Sequence, residues 1–461
     1  MSPMLIGIFG YVFVQLLIVI VLARRSRNET DYLLAGRRLG TGFATFTIFA
    51  TWFGAETFIG SAGAVYADGL GGSTADPFGY AVCLFLMGFF FAVPLWRRKL
   101  TTLADLFRRR FSIGVERFAV LLIVPTSIMW AAAQIRAMGH VISASSEFDV
   151  ELAIAVAAGV VVLYTVYGGM LANAVTDVVQ GVIVILGLVI LLFVVVYAAG
   201  GLEQAFSSID PQRLQLFGGP DKSWLQVAEQ WAIPIFGSVL AQELVAVILA
   251  SHSPQVARRA SLMGGGIYLA VGLIPVFIGL VGLGLIAGLA EPEQLMPLIA
   301  QKYLAVIPYI IFMGALISAI LSTVSSALLA AASLLSHNLF VPLSPGMSSL
   351  AKVRLARVCV VVGGVIAFTL ARHAEGVYEL VEQASAFGSA GVFTAAVFGL
   401  FTTLGRNRAA YGALIAGVVT WIVSHYILDY SLAYLTSLAA ALGAYLLLAV
   451  TEKRAPILAA E

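Results

Sequence analysis

Residues 42–67 read GFATFTIFATWFGAETFIGSAGAVYA, an apolar run interrupted at its centre by Phe53-Gly54-Ala55-Glu56. A bilayer-crossing helix needs about 20 apolar residues, so the run is long enough to span. An ionisable group at that depth is expensive, which makes Glu56 a candidate site residue. A second run at 228–250 carries a comparable interruption, Phe236-Gly237-Ser238. Five spans separate the two starts, so the second must point opposite to the first. Interrupted helices in inverted halves expose carbonyls and half-helix ends to an otherwise dry interior. A lone Gly more commonly permits close packing; the matched pair is what favours two broken helices.

The rest of the chain fits a membrane setting. Of 461 residues, 61% are hydrophobic and 11% charged, with a mean hydropathy of +0.99. A soluble domain carries roughly 25% charged residues to face water. Apolar runs fall at 4–23, 42–67, 76–96, 117–140, 151–170, 174–200, 228–250, 262–290, 303–337, 353–372, 376–403, 408–427 and 431–450. The reading is therefore an all-α integral membrane protein of about 13 spans in a single domain. It has a leading helix (4–23), two five-span inverted repeats (42–200 and 228–403) and two trailing helices (408–450). Cys83 and Cys359 lie in separate apolar runs and read as core residues rather than a disulfide.

Charge distribution orients the chain. Alternate loops collect 21 of the 26 basic residues, among them Arg24, Arg25, Arg27, Arg97, Arg98, Lys99, Arg108, Arg109, Arg110, Lys453 and Arg454. Only Arg213, Lys222, Lys302 and Arg372 fall on the other side, with Arg136 inside a span. Basic loops favour the cytoplasm, which predicts an outside N-terminus and a cytoplasmic C-terminus in a cell (plasma or inner) membrane. No basic residue precedes 4–23 and three follow it, so this run reads as an uncleaved span.

Inside the spans, Glu56, Glu243, Asp177 and Arg136 are site candidates, with buried ion pairing or snorkelling as the competing role for Asp177 and Arg136. In the ninth span, Ala319, Ser322, Thr323 and Ser326 follow the i, i+3, i+4, i+7 spacing and form one stripe. Hydroxyls and carbonyls replace the water of a hard monovalent cation without a fixed charge, though small-residue stripes also serve packing.

Several motifs together resemble the sodium/solute symporter family. They are Asp31-Tyr32-Leu33-Leu34-Ala35-Gly36-Arg37, Gly54-Ala55-Glu56-Thr57-Phe58-Ile59-Gly60, Tyr167-Gly168-Gly169, Thr176-Asp177-Val178-Val179-Gln180 and the Ser/Thr stripe. The resemblance implies a leucine-transporter-like fold and sodium-coupled uptake of a small solute by alternating access. It also implies a sodium site from the carbonyls of Ala50, Phe53 and Ala319 with the hydroxyls of Ser322 and Thr323. A second sodium site of some members matches Asp177, Ser322, Ser325 and Ser326, so one or two ions are expected.

Ala50-Thr51-Trp52, Ala64-Val65-Tyr66 and Met129-Trp130-Ala131-Ala132-Ala133 resemble the family's choline-transporting branch, and Trp52, Tyr80 and Trp130 resemble its aromatic cage. Where that branch carries a Trp in the seventh span, this chain has Ala241, followed by Gln242 and Glu243, both candidate solute-binding residues. Glu243 offers direct charge pairing to an amine, and Glu56 adds negative potential. Helical projection favours Gln134 over Arg136 as site-facing. An amine or zwitterionic amine such as choline or betaine leads; a small monocarboxylate or amino acid, selected by Arg136, is the alternative. A solute sensor acting with a separate partner is a rival class. So is an intramembrane enzyme, but the five His residues show no metal pair or triad spacing, and no enzyme activity and no nucleic-acid partner are expected. Proton coupling through Glu56 or Asp177 competes with sodium.

Overall fold

The computed structural model describes residues 3–23, 28–144, 146, 148–218, 222–344, 346–374 and 376–452. Arg24, Arg25, Arg27, Lys453 and Arg454 lie outside them. Among the described residues the chain is helical and contains no strand; Leu39 and Ser251 form an isolated bridge. Eight helices are long and apolar enough to cross a membrane, or up to ten if each of two bent pairs counts as one crossing.

The principal helices are α1 (Pro3–Ala23), α2 (Thr41–Trp52), α3 (Ser61–Asp68), α4 (Thr74–Arg97), α5 (Ile113–Ala144), α6 (Val150–Ala198), α7 (Trp224–Ser238), α8 (Gln242–Ala250), α9 (Pro254–Leu285), α10 (Val306–Ser333), α11 (Ser349–His373), α12 (Val377–Ala386), α13 (Ser389–Phe401), α14 (Asn407–Ile422) and α15 (Ala433–Val450). Side-chain caps start several of them. Ser223 and Gln226 form a reciprocal capping box at α7, and Asp149 accepts from Leu152 N–H at α6. Each supplies a partner to amides that the first helical turn leaves free.

Helix α6 is not one rod. Straight, its 49 residues would run about 74 Å, more than twice the hydrocarbon thickness. Gly169 (φ 73, ψ 171) interrupts it. The Tyr164 hydroxyl then donates to Thr176 Oγ1 at 2.6 Å, although a straight helix would hold these residues about 18 Å apart. The chain therefore folds back at Gly169. Tyr32 fills the elbow, its hydroxyl donating to the carbonyls of Thr165 and Val166 at 3.3 Å each.

Two further discontinuities lie at α7/α8, bent by 43°, and at α12/α13, bent by 41°. Helix α10 is the most enclosed element, with residues buried almost without interruption from Phe312 to Ser333. The arginine-rich end of the bundle is tied by a polar cluster. His337 contacts Glu29 (2.8 Å) and Asp105 (3.4 Å), while Asn338 Nδ2 donates to Asp105 (3.0 Å) and Glu116 (2.7 Å). Burial opposes the charge on Asp105, but His337 and the amides of Thr101 and Thr102 outweigh it and hold this carboxyl below the usual range.

A Cβ on Gly169 would lie 2.9 Å from the Tyr32 carbonyl oxygen, at a positive φ. Gly169→Ala is expected to cost roughly 2 kcal/mol or more, lowering the Tm of the detergent-solubilised protein. An unchanged melt would contradict the elbow.

Candidate cation and solute site

At the first break, Phe53 (φ −89, ψ 72) leaves the helical region. The freed Ala55 N–H donates to Gln134 Oε1 at 2.9 Å, and Gln134 Nε2 donates to Glu56 Oε2 at 2.5 Å. One side chain from α5 thus satisfies the opened backbone and fixes the carboxylate beside it. Glycine leaves room for this pair, because a Cβ on Gly54 would lie 2.5 Å from Glu56 Oε2 and 2.9 Å from Gln134 Oε1 and push both side-chain ends aside. Aromatic rings brace the same turn: Phe53 packs on Phe49 at 5.2 Å and on Tyr268 at 5.9 Å between centroids, contacts worth about 0.5–1.5 kcal/mol each.

The hydroxyl face of α10 meets this break. Thr323 Oγ1 donates to the Ala50 carbonyl at 3.2 Å, and Ser326 Oγ lies 3.0 Å from Thr51 Oγ1. Phe53 and Ala319 are buried in the same core. Ser322 turns toward α6 and donates to Asp177 Oδ1 at 2.6 Å. Ser325 bonds back to the Ser322 carbonyl at 3.0 Å. Asp177 is fully buried, and beyond the Ser322 bond the Thr47 hydroxyl is directed at its carboxyl, with Gln180 nearby beside Tyr164. A cluster of hydroxyl and carboxyl oxygens of this kind suits a small cation that accepts several oxygen ligands.

The aromatic trio also assembles. Trp130 lies 6.0 Å from Trp52 and 5.8 Å from Tyr80 between ring centroids. Beneath it, a cavity of about 30 Å³ is lined by Ser127, Trp130, Gly237, Ser238, Ala241, Glu243, Ser385 and Ser389, among others. Glu243 stands at a junction. It also lines a small space with Thr51, Trp52, Trp130 and Thr323, and another with Asn173, Gln242 and Ser326 that leads toward the arginine-rich end. It occupies the first turn of α8, where the amide ends favour negative charge. The Ser127 hydroxyl, on α5, is directed at its carboxyl.

Other candidates lie elsewhere. Glu56 and Gln134 engage each other at the break. Gln242 Oε1 accepts from Leu103 N–H at 2.8 Å, so this residue buttresses the loop at the arginine-rich end. Arg136 donates to the Ala371 carbonyl at 3.1 Å and lines a separate cavity of about 740 Å³ at the opposite end, beside His140, Glu291 and Glu293; it does not line the aromatic pocket. The second break falls at residues 239–241, three residues past Gly237. Gly237 is itself helical and serves close approach, since a Cβ there would strike the Ser385 carbonyl. Two features escaped the sequence reading. Gly388 (φ 66) bends α12/α13 and lines the aromatic pocket. Asp76, read as the edge of a span, is fully buried and accepts from Thr57 Oγ1 (2.7 Å) and the Tyr268 hydroxyl.

Residues 32–420 match the sequence model of the sodium:solute symporter family. The chain is 28% identical to the human high affinity choline transporter 1 over 444 residues, covering 90% of this chain and 75% of that protein. It is 26% identical to the Drosophila melanogaster protein, covering 82% of this chain and 64% of the relative, just under two thirds of its length. The Escherichia coli sodium/pantothenate symporter is 27% identical, with coverages of 87% and 86%. In fold, the chain resembles a Na+-coupled sialic acid symporter in a substrate-bound outward-open state (TM-score 0.87, 17% identity, 99% of each chain). It also resembles a nucleobase-cation-symport-1 family transporter (TM-score 0.64, 18% identity, 94% and 97%).

Gln134→Met keeps the shape of the brace but removes both hydrogen bonds. It is expected to destabilise the protein by about 1–3 kcal/mol, seen as a lower Tm in detergent. A wild-type melt would show that Gln134 does not hold the break open.

Proposed function

The chain belongs to the sodium:solute symporter family, and from that premise we propose that it couples sodium entry to uptake of a small organic amine, choline-like or betaine-like. The proposed topology is thirteen crossings: a leading helix, inverted repeats at 42–200 and 228–403, and two trailing helices. The N-terminus lies outside and the arginine-rich end faces the cytoplasm, in a plasma or inner membrane.

Ala50, Phe53, Ala319, Ser322 and Thr323 form the proposed primary sodium site. Asp177, Ser322, Ser325 and Ser326 form a second, with Ser322 common to both. A sodium ion between α2 and α10 joins the broken helix to the hydroxyl helix, in the seam where Thr323 already reaches Ala50. Its arrival favours the conformation in which these faces touch; its loss to the sodium-poor cytoplasm relaxes them. A ligand shifts such an equilibrium only by its differential affinity for the two states.

The observation that carries the amine reading is Glu243. It is buried beside Trp52 and Trp130, at the meeting of three cavities, and no salt bridge joins it to a cationic side chain among the described residues. An amine supplies the missing positive charge, and the aromatic faces supply cation–π attraction. Ala241 lines the same cavity, so the wall that choline-type cages close with an indole is replaced here by a carboxylate two residues on.

The test is uptake into proteoliposomes under an imposed sodium gradient, with choline, betaine, amino acids and monocarboxylates in competition. Ser322→Ala is expected to abolish sodium dependence and Asp177→Ala to weaken it; full sodium-driven uptake in both variants refutes the ion sites. Glu243→Gln is expected to raise the KM of a cationic solute about tenfold or more and to spare an anionic one. The reverse pattern would favour a carboxylate solute.

A further inference from the structure

A second chamber opens at the end of the bundle opposite the arginine-rich loops. It measures about 110 Å³, larger than the space beneath Trp130, and is lined by Asp76, Tyr80, Gln230, Pro234, Tyr378 and Glu382, among others. Asp76 forms its floor. Its Oδ1 is held by Thr57 and Tyr268, whereas the buried Oδ2 has no hydrogen-bond partner. Glu382 is exposed at the mouth. Among the described residues no basic side chain lines the chamber, though Lys222 outside it donates to Gln230 Oε1 at 3.4 Å and is outnumbered there by the two carboxylates.

Tyr80 reaches from one space toward the other. Tyr80 lines the outer chamber, while its ring faces Trp130 and its hydroxyl lies 2.9 Å from Ser385 Oγ. Ser385 lines the inner pocket and accepts from Ser238 at 3.1 Å. The Tyr80–Ser385 contact thus links a residue lining the outer chamber to one lining the inner pocket.

We propose that the Asp76 chamber is an outer subsite for an organic ammonium ion, from which the cation passes the Tyr80–Ser385 contact to reach Trp130 and Glu243. The inference rests on the amine reading for its ligand. Glu382 draws the cation to the mouth, Asp76 pairs with it at the floor, and the faces of Tyr80 and Tyr378 take its alkyl groups. The free space exceeds that of a single water several-fold, as an organic cation requires.

The experiment places a reporter in the chamber. Gln230→Cys is made in a Cys83→Ala, Cys359→Ala background and reconstituted in proteoliposomes. It is labelled with methanethiosulfonates bearing either a trimethylammonium or a sulfonate group. The cationic reagent is expected to react about tenfold faster after correction for intrinsic reactivity, with the preference reduced in Glu382→Gln and lost in Asp76→Asn. Glu382→Gln is a surface change that keeps the fold, so it tests the chamber even if Asp76→Asn folds poorly. Rates indifferent to charge overturn the subsite, whatever the solute. In uptake assays, Glu382→Gln is expected to raise the KM for choline about threefold with kcat unchanged; an unchanged KM with choline transported overturns the relay. Absence of choline transport in the otherwise native protein would instead overturn the amine reading, while the labelling preference still decides whether the chamber selects ammonium groups.

Discussion

A peptide group released from its helix inside a bilayer has no water to turn to, and every feature of the candidate site follows from how this chain meets that constraint. The break at Phe53-Gly54 survives because Gln134 receives the Ala55 amide and Thr323 donates to the Ala50 carbonyl. Each unsatisfied group would otherwise cost several kcal/mol in hydrocarbon. The same bonds that make the break tolerable also determine what it can bind. Carbonyls and hydroxyls are gathered on one side, facing α10, and an amide-stabilised carboxylate is held on the other. The repair of the helix and the construction of the candidate cation site are one arrangement.

That economy explains which parts of the fold were legible in the sequence. Glu56 after Gly54 is a chemical contradiction within an apolar run, and the hydroxyl stripe of α10 has a helical period, so both announced themselves. The second break was displaced because glycine has two uses that sequence does not separate. Gly237 admits the Ser385 carbonyl, while the chain opens at residues 239–241, where no residue is unusual. The bend at Gly388 was missed because Ala386-Phe387-Gly388-Ser389 reads as a continuous apolar helix; only its positive φ reveals the turn. Asp76 precedes a proline at the start of a span, the ordinary setting of a loop residue, and only the tertiary contacts with Thr57 and Tyr268 draw it inward. Gln242 lines one of the cavities that meet at Glu243, but successive residues of a half-helix lie about 100° apart, and its Oε1 is committed to a loop amide. Glu243 therefore faces the cavity junction while Gln242 reaches the Leu103 amide.

Glu56, Asp76, Asp177 and Glu243 are all buried, and no salt bridge among the described residues pairs them with basic side chains. The basic residues collect instead at one end, where several cap carbonyls: Arg37 on Leu100 and Leu249, Arg98 on Leu400, Arg110 on Gly405. Buried carboxyl groups with no matching positive ones are unfavourable in their charged forms. The proposed passage of a cation would make that arrangement intelligible, because a permanent internal counter-ion would compete with the travelling one.

Carboxylates at two depths raise the question of why a cation would move on rather than stay. A single deep site would hold it; two sites of similar character, divided by a reversible contact, let it exchange one partner for another at little net change in energy. The Tyr80–Ser385–Ser238 chain is suited to be that contact. Its members are hydroxyls, which bond to each other when together and to water or ligand when apart, and it joins α4, α7 and α12, three elements whose helices are broken or bent nearby. Rotation at the α7/α8 and α12/α13 bends would shift Ser238 and Ser385 relative to Tyr80. The proposed ion site between α2 and α10 is built on a third discontinuity, at Gly54. Backbone breaks thus place the candidate ligands, and the same breaks are where hinges that cover and release those ligands would fall.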